Sequence, residues 1–259
     1  LRVHAPEYLD DLDACRWTPR TSASELPLTK QIVDAYYLMA GGTCLAASLA
    51  CEHGGAMNLG GGFHHAFADR AEGFCYVNDI AVAVREIQAQ RLVERVAVID
   101  TDLHQGNGTA RIFQGDPQVF TFSIHQEDLY PVKEQSSLDI GLEDGTDNQE
   151  YLAKLRQGLD VVFGQFKPQF VMYVGGVDPY KEDRLGSLRL TKEGIKQRDT
   201  MVFRTCRDHG VPVAAVLAGG YAADVEDTVE MHANTYLALR EALGGGQGDH
   251  MSRDRTFRV

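Results

Sequence analysis

Three titratable side chains alternate at the end of one apolar run: Asp100, Asp102 and His104 in VAVIDTDLHQGNGTA, residues 96–110. In an extended chain residues i, i+2 and i+4 share a face, so two carboxylates and an imidazole point the same way. Burying such groups is costly unless a cation or hydrogen-bond partners compensate. Another carboxylate, Asp178, closes the apolar run FVMYVGGVD at 170–178. Asp102, His104 and Asp178 would give a single ion two carboxylates and an imidazole, and three protein ligands with an open fourth position are usual at catalytic zinc. Taken singly, each has a plainer role, since a strand-end Asp commonly caps or turns the chain. Their coincidence favours a site. A second polar group, GGGFHHAF at 60–67, sets His64 and His65 behind three glycines, which let the backbone turn sharply and approach a ligand. Two imidazoles beside an activated water would supply a base and an acid. The alternatives are a surface histidine pair or a phosphate cradle, the latter disfavoured because GxGxxG and GKS/GKT are both missing.

The elements that must position these groups follow from periodicity. Residues 29–53 show helical spacing interrupted at Gly41-Gly42, a point where the helix is expected to split or kink. AMNLGGG, 56–62, reads as a short strand entering a glycine turn, and 77–90 as a helix capped by Asn78 or Asp79. Strands are expected at RVAVIDTD, at VFTFSIH (119–125), at 170–178 and at VPVAAVLAGGY (211–221). Helices are expected near 148–166, 191–209 (opened by Thr191) and 225–243, with a loop-rich passage from Gln126 to Asp147. Strands that are continuous apolar runs, alternating with helices, indicate an α/β fold whose mostly parallel sheet carries helices on both faces. Such sheets place their sites beyond the carboxyl ends of the strands, where Asp100–His104, Asp178 and Gly219-Gly220-Tyr221 all fall.

At 259 residues the chain suits one domain with a large core. Its formal net charge of -12 disfavours nucleic acid and anionic membrane surfaces as partners and mildly favours cationic substrates. No apolar run reaches the about 18–20 residues of a membrane span, and LRVHAPEYLDDLD is unlike a signal peptide. The five cysteines form no CxxC pair, which suits reduced thiols in a cytoplasmic protein.

GGGFHHAF, EGFCYVNDIAVA, DTDLHQGNGTA, GGVDPYKEDRLGSL and LAGGY, in this order, closely resemble the zinc-dependent histone deacetylase and acetylpolyamine amidohydrolase superfamily, over roughly residues 1–243. HQGNGTA and DRLGSLRLTKEGIKQRD are most similar to class IV deacetylases and their bacterial relatives. The resemblance implies an arginase-like deacetylase fold forming one catalytic domain, with 244–259 a peripheral tail and the family's N-terminal strand and rim loop missing. It implies Asp102, His104 and Asp178 as zinc ligands (iron(II) being a possible substitute), His64 and His65 as the tandem histidines with His65 the base, and Asp100 orienting His64. Asn107 matches the partner of His65, an aspartate in class I enzymes. Tyr221 matches the tyrosine facing the substrate carbonyl. Gly73 and Phe74 match one wall of an acyl-lysine tunnel, with Tyr130 in the opposite wall and Gly220 also at the substrate. Asp100, Asp102, His104, Ser123 and Ile124 match a structural potassium site. The implied activity is removal of acetyl or longer acyl groups from lysine side-chain amides; an acetylpolyamine amidohydrolase or a non-catalytic acyl-lysine binding module are the alternatives.

Overall fold

The computed structural model describes residues 2–244; the 244–259 tail therefore lies, beyond Gly244, outside the described residues. Six strands form one sheet: β1 (Gly55–Asn58), β2 (Val96–Asp100), β3 (Val119–Gln126), β4 (Leu138–Leu142), β5 (Phe170–Val174) and β6 (Val213–Val216). Their order is β1-β6-β5-β2-β3-β4, and every pairing is parallel. All residues of β2, β5 and β6 are buried, as expected of central strands covered on both faces. The helices are α1 (Pro6–Asp13), α2 (Pro19–Ser22), α3 (Lys30–His53), α4 (Asp79–Ala89), α5 (Asn107–Phe113), α6 (Asn148–Val161), α7 (Lys192–Asp208) and α8 (Val225–Ala242). A π-helical turn, Val162–Phe166, prolongs α6.

Two apolar layers flank the sheet. One, under α6, α7 and α8, includes Ile99, Phe122, Tyr173, Leu155, Val202 and Leu239. The other, under α3 and α4, includes Val98, Met172, Val216, Ile80 and Val84.

Several expectations need correction. Helix α3 runs unbroken through Gly41 and Gly42. A helical glycine costs about 1 kcal/mol relative to alanine, and the packing of α3 on α4, β1 and β6 outweighs that. Against the expectation from run length, α3 is also long and apolar enough to cross a membrane by composition alone; one face of it, including Val33, Tyr36, Ala47 and Ala50, is buried. The passage from Gln126 to Asp147 contains edge strand β4, and the chain after β2 forms the short helix α5. The strands expected at 170–178 and 211–221 stop at Val174 and Val216, while the one ending DTD stops at Asp100. The polar residues that follow therefore sit on turns at the sheet's carboxyl edge. Because β1, β6, β5 and β2 are successive neighbours, their four following loops meet above one half of the sheet.

Candidate active site

The loop after β1 carries the tandem histidines. Gly61 and Gly62 have φ of 77° and 88°, a region that favours glycine. A Cβ on Gly62 would lie 2.6 Å from the backbone of Ala218, so the turn is pressed against the loop after β6. What holds it is Asp79: the N–H of Gly62 donates to both of its oxygens, at 3.1 Å to Oδ1 and 3.0 Å to Oδ2, that of Phe63 donates to Oδ1 at 2.8 Å, and Thr43 donates to Oδ2 at 2.6 Å. Asn78 caps α4 by accepting from Ala81 N–H, so Asp79 is free to face the glycines. Sequence reasoning took Asp79 only as a cap candidate.

The turn delivers two rings 4.0 Å apart with different partners. His64 Nδ1 lies 2.7 Å from Asp100 Oδ2, and its Nε2 is 3.7 Å from Asp102 Oδ1. Burial disfavours its charged form, but the Asp100 and Asp102 carboxylates outweigh burial and raise its pKa to about 9. His65 Nδ1 lies 2.8 Å from Asn107 Oδ1. Burial, reinforced by the neighbouring His64 charge, holds His65 well below the usual histidine range.

Past β2 the chain turns on its own carboxylates: Asp102 N–H donates to Asp100 Oδ1 at 3.1 Å, and His104 N–H to Asp102 Oδ1 at 3.0 Å. This turn splits the trio. Asp100 goes to His64, while Asp102 and His104 meet Asp178, each offering a ligand atom within 4.8 Å of the others'. His104 Nδ1 is 3.3 Å from both Asp102 Oδ1 and Asp178 Oδ2. Asp178 Oδ1 accepts from Leu103 N–H at 2.9 Å, and Asp102 Oδ2 from Gly219 N–H at 2.9 Å. Asp178 Oδ2, fully buried, has no hydrogen-bond partner among the described residues. Burial and the Asp102 charge push Asp178 up to about 7. Burial disfavours the charged form of His104, but the close Asp102 and Asp178 carboxylates outweigh it and raise its pKa to about 10. Two buried carboxylates, one with an orphaned oxygen, and an imidazole make a donor set that fits a divalent cation.

The cluster lies at a cavity of ≈ 420 Å³. Gly73 and Phe74 form one wall, Leu129 and Tyr130 another, and Gly219 and Tyr221 a third. The Tyr130 ring stands 5.3 Å from that of His65, and Phe74 6.2 Å from Tyr221. Gly73, at φ 48°, has no room for a Cβ, which would sit 2.5 Å from the Tyr130 hydroxyl. Burial, then the Asp102 and Asp178 charges, raise the Tyr221 hydroxyl, so it stays protonated. Its backbone N–H donates to Asp183 Oδ2 at 2.7 Å, a contact that sequence spacing does not reveal. Gly220 is not brought to the cavity: it backs onto Val177 and Thr228, and Gly219 takes its place. Ser123 pairs in register with Asp100 across β2 and β3, with Ile124 buried beside it.

Residues 1–236 match the family model described as the histone deacetylase domain. This chain belongs to the histone deacetylase family. An uncharacterized protein of Picosynechococcus is 44% identical over 92% of this chain and 80% of its own length. Histone deacetylase 2 of Arabidopsis thaliana is 34% identical over 89% of this chain, which spans only 63% of the plant protein. An acetylpolyamine aminohydrolase of Burkholderia pseudomallei superposes with a TM-score of 0.78 over 93% of this chain and 82% of its own, at 22% identity; that likeness establishes the arginase-like deacetylase fold. The family places the chain among hydrolases, and deacetylases of this kind are typically metal-dependent, in keeping with the Asp102–His104–Asp178 donor set.

Proposed function

We propose that this chain is a zinc-dependent hydrolase that removes acetyl or longer acyl groups from lysine side-chain amides, of the class IV type. The supporting observation is the opposed pair beside the ligand cluster: His64 Nδ1 lies 2.7 Å from the Asp100 carboxylate and His65 Nδ1 2.8 Å from the neutral Asn107 amide, which favours the charged form of the first ring over that of the second. Neighbouring groups whose surroundings push their pKa values apart divide the acid and base roles between them. Neutral His65 takes the proton of the attacking water, and protonated His64 is the donor for the departing amine. The Tyr221 hydroxyl, kept protonated, donates to the amide oxygen as negative charge builds there. Zinc held by Asp102, His104 and Asp178 would supply Lewis acidity and lower the pKa of a water toward about 7, and iron(II) suits the same donor types. Phe74 and Tyr130 would flank the aliphatic stem of the lysine. The potassium site belongs to the same proposal, with Asp100, Asp102, His104, Ser123 and Ile124 as its donors.

One observation favours an acylated polyamine as a second substrate class. Glu25 lines the cavity, and the chain's net charge of -12 attracts a second ammonium group. The deciding experiment supplies the zinc-loaded protein with acetyl-lysine and long-chain acyl-lysine peptides and with acetylpolyamines, each with and without a hydroxamate. Hydroxamate-sensitive turnover of the peptides is expected. Turnover of polyamines alone would replace the lysine reading by the second one, and peptide binding without turnover would make the chain a reader.

A further inference from the structure

Behind Asn107, the partner of His65, stands a carboxylate, Glu72, that neither the histidine pair nor the ligand cluster accounts for. Asn107 is 1% exposed and faces the ring through Oδ1, while its Nδ2 lies 2.7 Å from Glu72 Oε1. An amide donates from nitrogen and accepts at oxygen, whereas an ionised carboxylate only accepts. Glu72 thereby dictates which end of Asn107 turns toward it. Nδ2 goes to Glu72, Oδ1 is left facing the imidazole, and an acceptor at that position requires His65 to carry its proton on Nδ1. The lone pair of neutral His65 then lies on Nε2.

We propose that Glu72 is a positioning residue that sets the tautomer of His65 through Asn107, forming a His65–Asn107–Glu72 relay. The role rests on the reading of His65 as the base. The carboxylate is itself held from two sides: Tyr130 Oη lies 3.4 Å from Oε1, and Arg70 Nε 3.7 Å from Oε2. Tyr130 also lines the cavity, so the relay is tied to the wall that faces substrate. Without the Glu72 acceptor, the amide of Asn107 has no reason to prefer one orientation. Flipped, it presents Nδ2 to the ring, moves the His65 proton to Nε2 and leaves no basic atom there to receive one from water.

The test reads the tautomer directly. The metal-loaded full chain is labelled with 15N-histidine, and two-bond 1H–15N spectra are recorded, the His65 signals being those lost in His65→Phe. Wild type is expected to show His65 protonated on Nδ1 alone. Glu72→Leu is expected to populate the Nε2-protonated form substantially and to lower kcat about tenfold or more with KM unchanged within about twofold. Glu72→Gln preserves the side-chain length should the leucine variant fail to fold; because Gln can both donate and accept, it permits both amide orientations and should also give a mixture. The double variant Asn107→Asp/Glu72→Gln places an obligate acceptor against Nδ1, so it should recover the Nδ1-protonated form and turn over faster than Glu72→Leu. A purely structural role for Glu72 predicts no such recovery. His65 keeping its Nδ1 proton in both single variants overturns the relay, whatever the activity. A wild type with the expected tautomer and no turnover of any acyl amine leaves the relay standing and overturns the hydrolase reading instead.

Discussion

Replacing Asp79 by alanine should unhinge the tandem histidines without touching them. The carboxylate is buried and receives the N–H groups of Gly62 and Phe63 and the hydroxyl of Thr43. Alanine leaves the two backbone donors unpartnered beneath α3, whereas Thr43 can turn to Met39 O at 3.2 Å. A buried donor left unsatisfied costs about 1–3 kcal/mol, so two orphans cost about 4 kcal/mol. For a chain of this size that lowers Tm by roughly 8–16 °C. Asp79→Asn is the control. Its Oδ1 still accepts from both backbone donors and its amide can donate to Thr43 Oγ, at the cost of the second acceptor that Gly62 N–H finds in Oδ2 at 3.0 Å, so the expected loss is about 1 kcal/mol. Calorimetry and denaturant titration read the stabilities, and turnover of an acyl-lysine substrate reads the geometry. Alanine should abolish most activity, while asparagine keeps it. If alanine costs under about 1 kcal/mol, or asparagine is as damaging as alanine, Asp79 does not hold the turn in the way its contacts indicate.

Tyr221→Phe should keep its metal, checked by elemental analysis, and lose about 100- to 1000-fold in kcat; near-normal turnover would remove Tyr221 from the oxyanion role. Asp178→Ala should bind no zinc after dialysis, and a full complement of metal would refute Asp178 as a ligand. The contribution of His4 to stability should also be lost in mild acid. Burial holds His4 down at about 4, below the value of about 6.5 in an unfolded chain, and its Nε2 accepts the Asn78 N–H at 3.0 Å. The folded state thus binds fewer protons between these values, so the contribution is present above pH about 6.5 and fades as pH falls toward 4. By pH 5 about 2 kcal/mol should be gone. His4→Gln, which can still accept from Asn78, should flatten the fall in Tm between pH 7.5 and 5, and an unchanged slope would remove His4 as its source.

Local pattern determined a good deal here. Apolar runs interrupted by titratable residues marked Asp102, His104 and Asp178 as one cluster, because a parallel sheet has a single carboxyl edge and all such interruptions must gather on it. The glycines before His64 and His65 pointed to a tight turn for a similar reason: backbone conformation is a property of a few consecutive residues. What faces that turn is not local. Asp79 comes from 17 residues away, Glu72 reaches Asn107 across 35, and Asp183 meets Tyr221 across 38. No periodicity records such pairings, since each carboxylate alone looks like a cap or a solvated surface charge. The unbroken course of α3 past Gly41 and Gly42, the edge strand β4 and the displacement of Gly220 from the cavity were likewise settled by packing, which outweighs propensities of about 1 kcal/mol. The sequence alone determined which atoms were available for chemistry. Only the tertiary structure decided which of them orient the others, because that depends on long-range contacts whose energies exist only once the sheet has assembled.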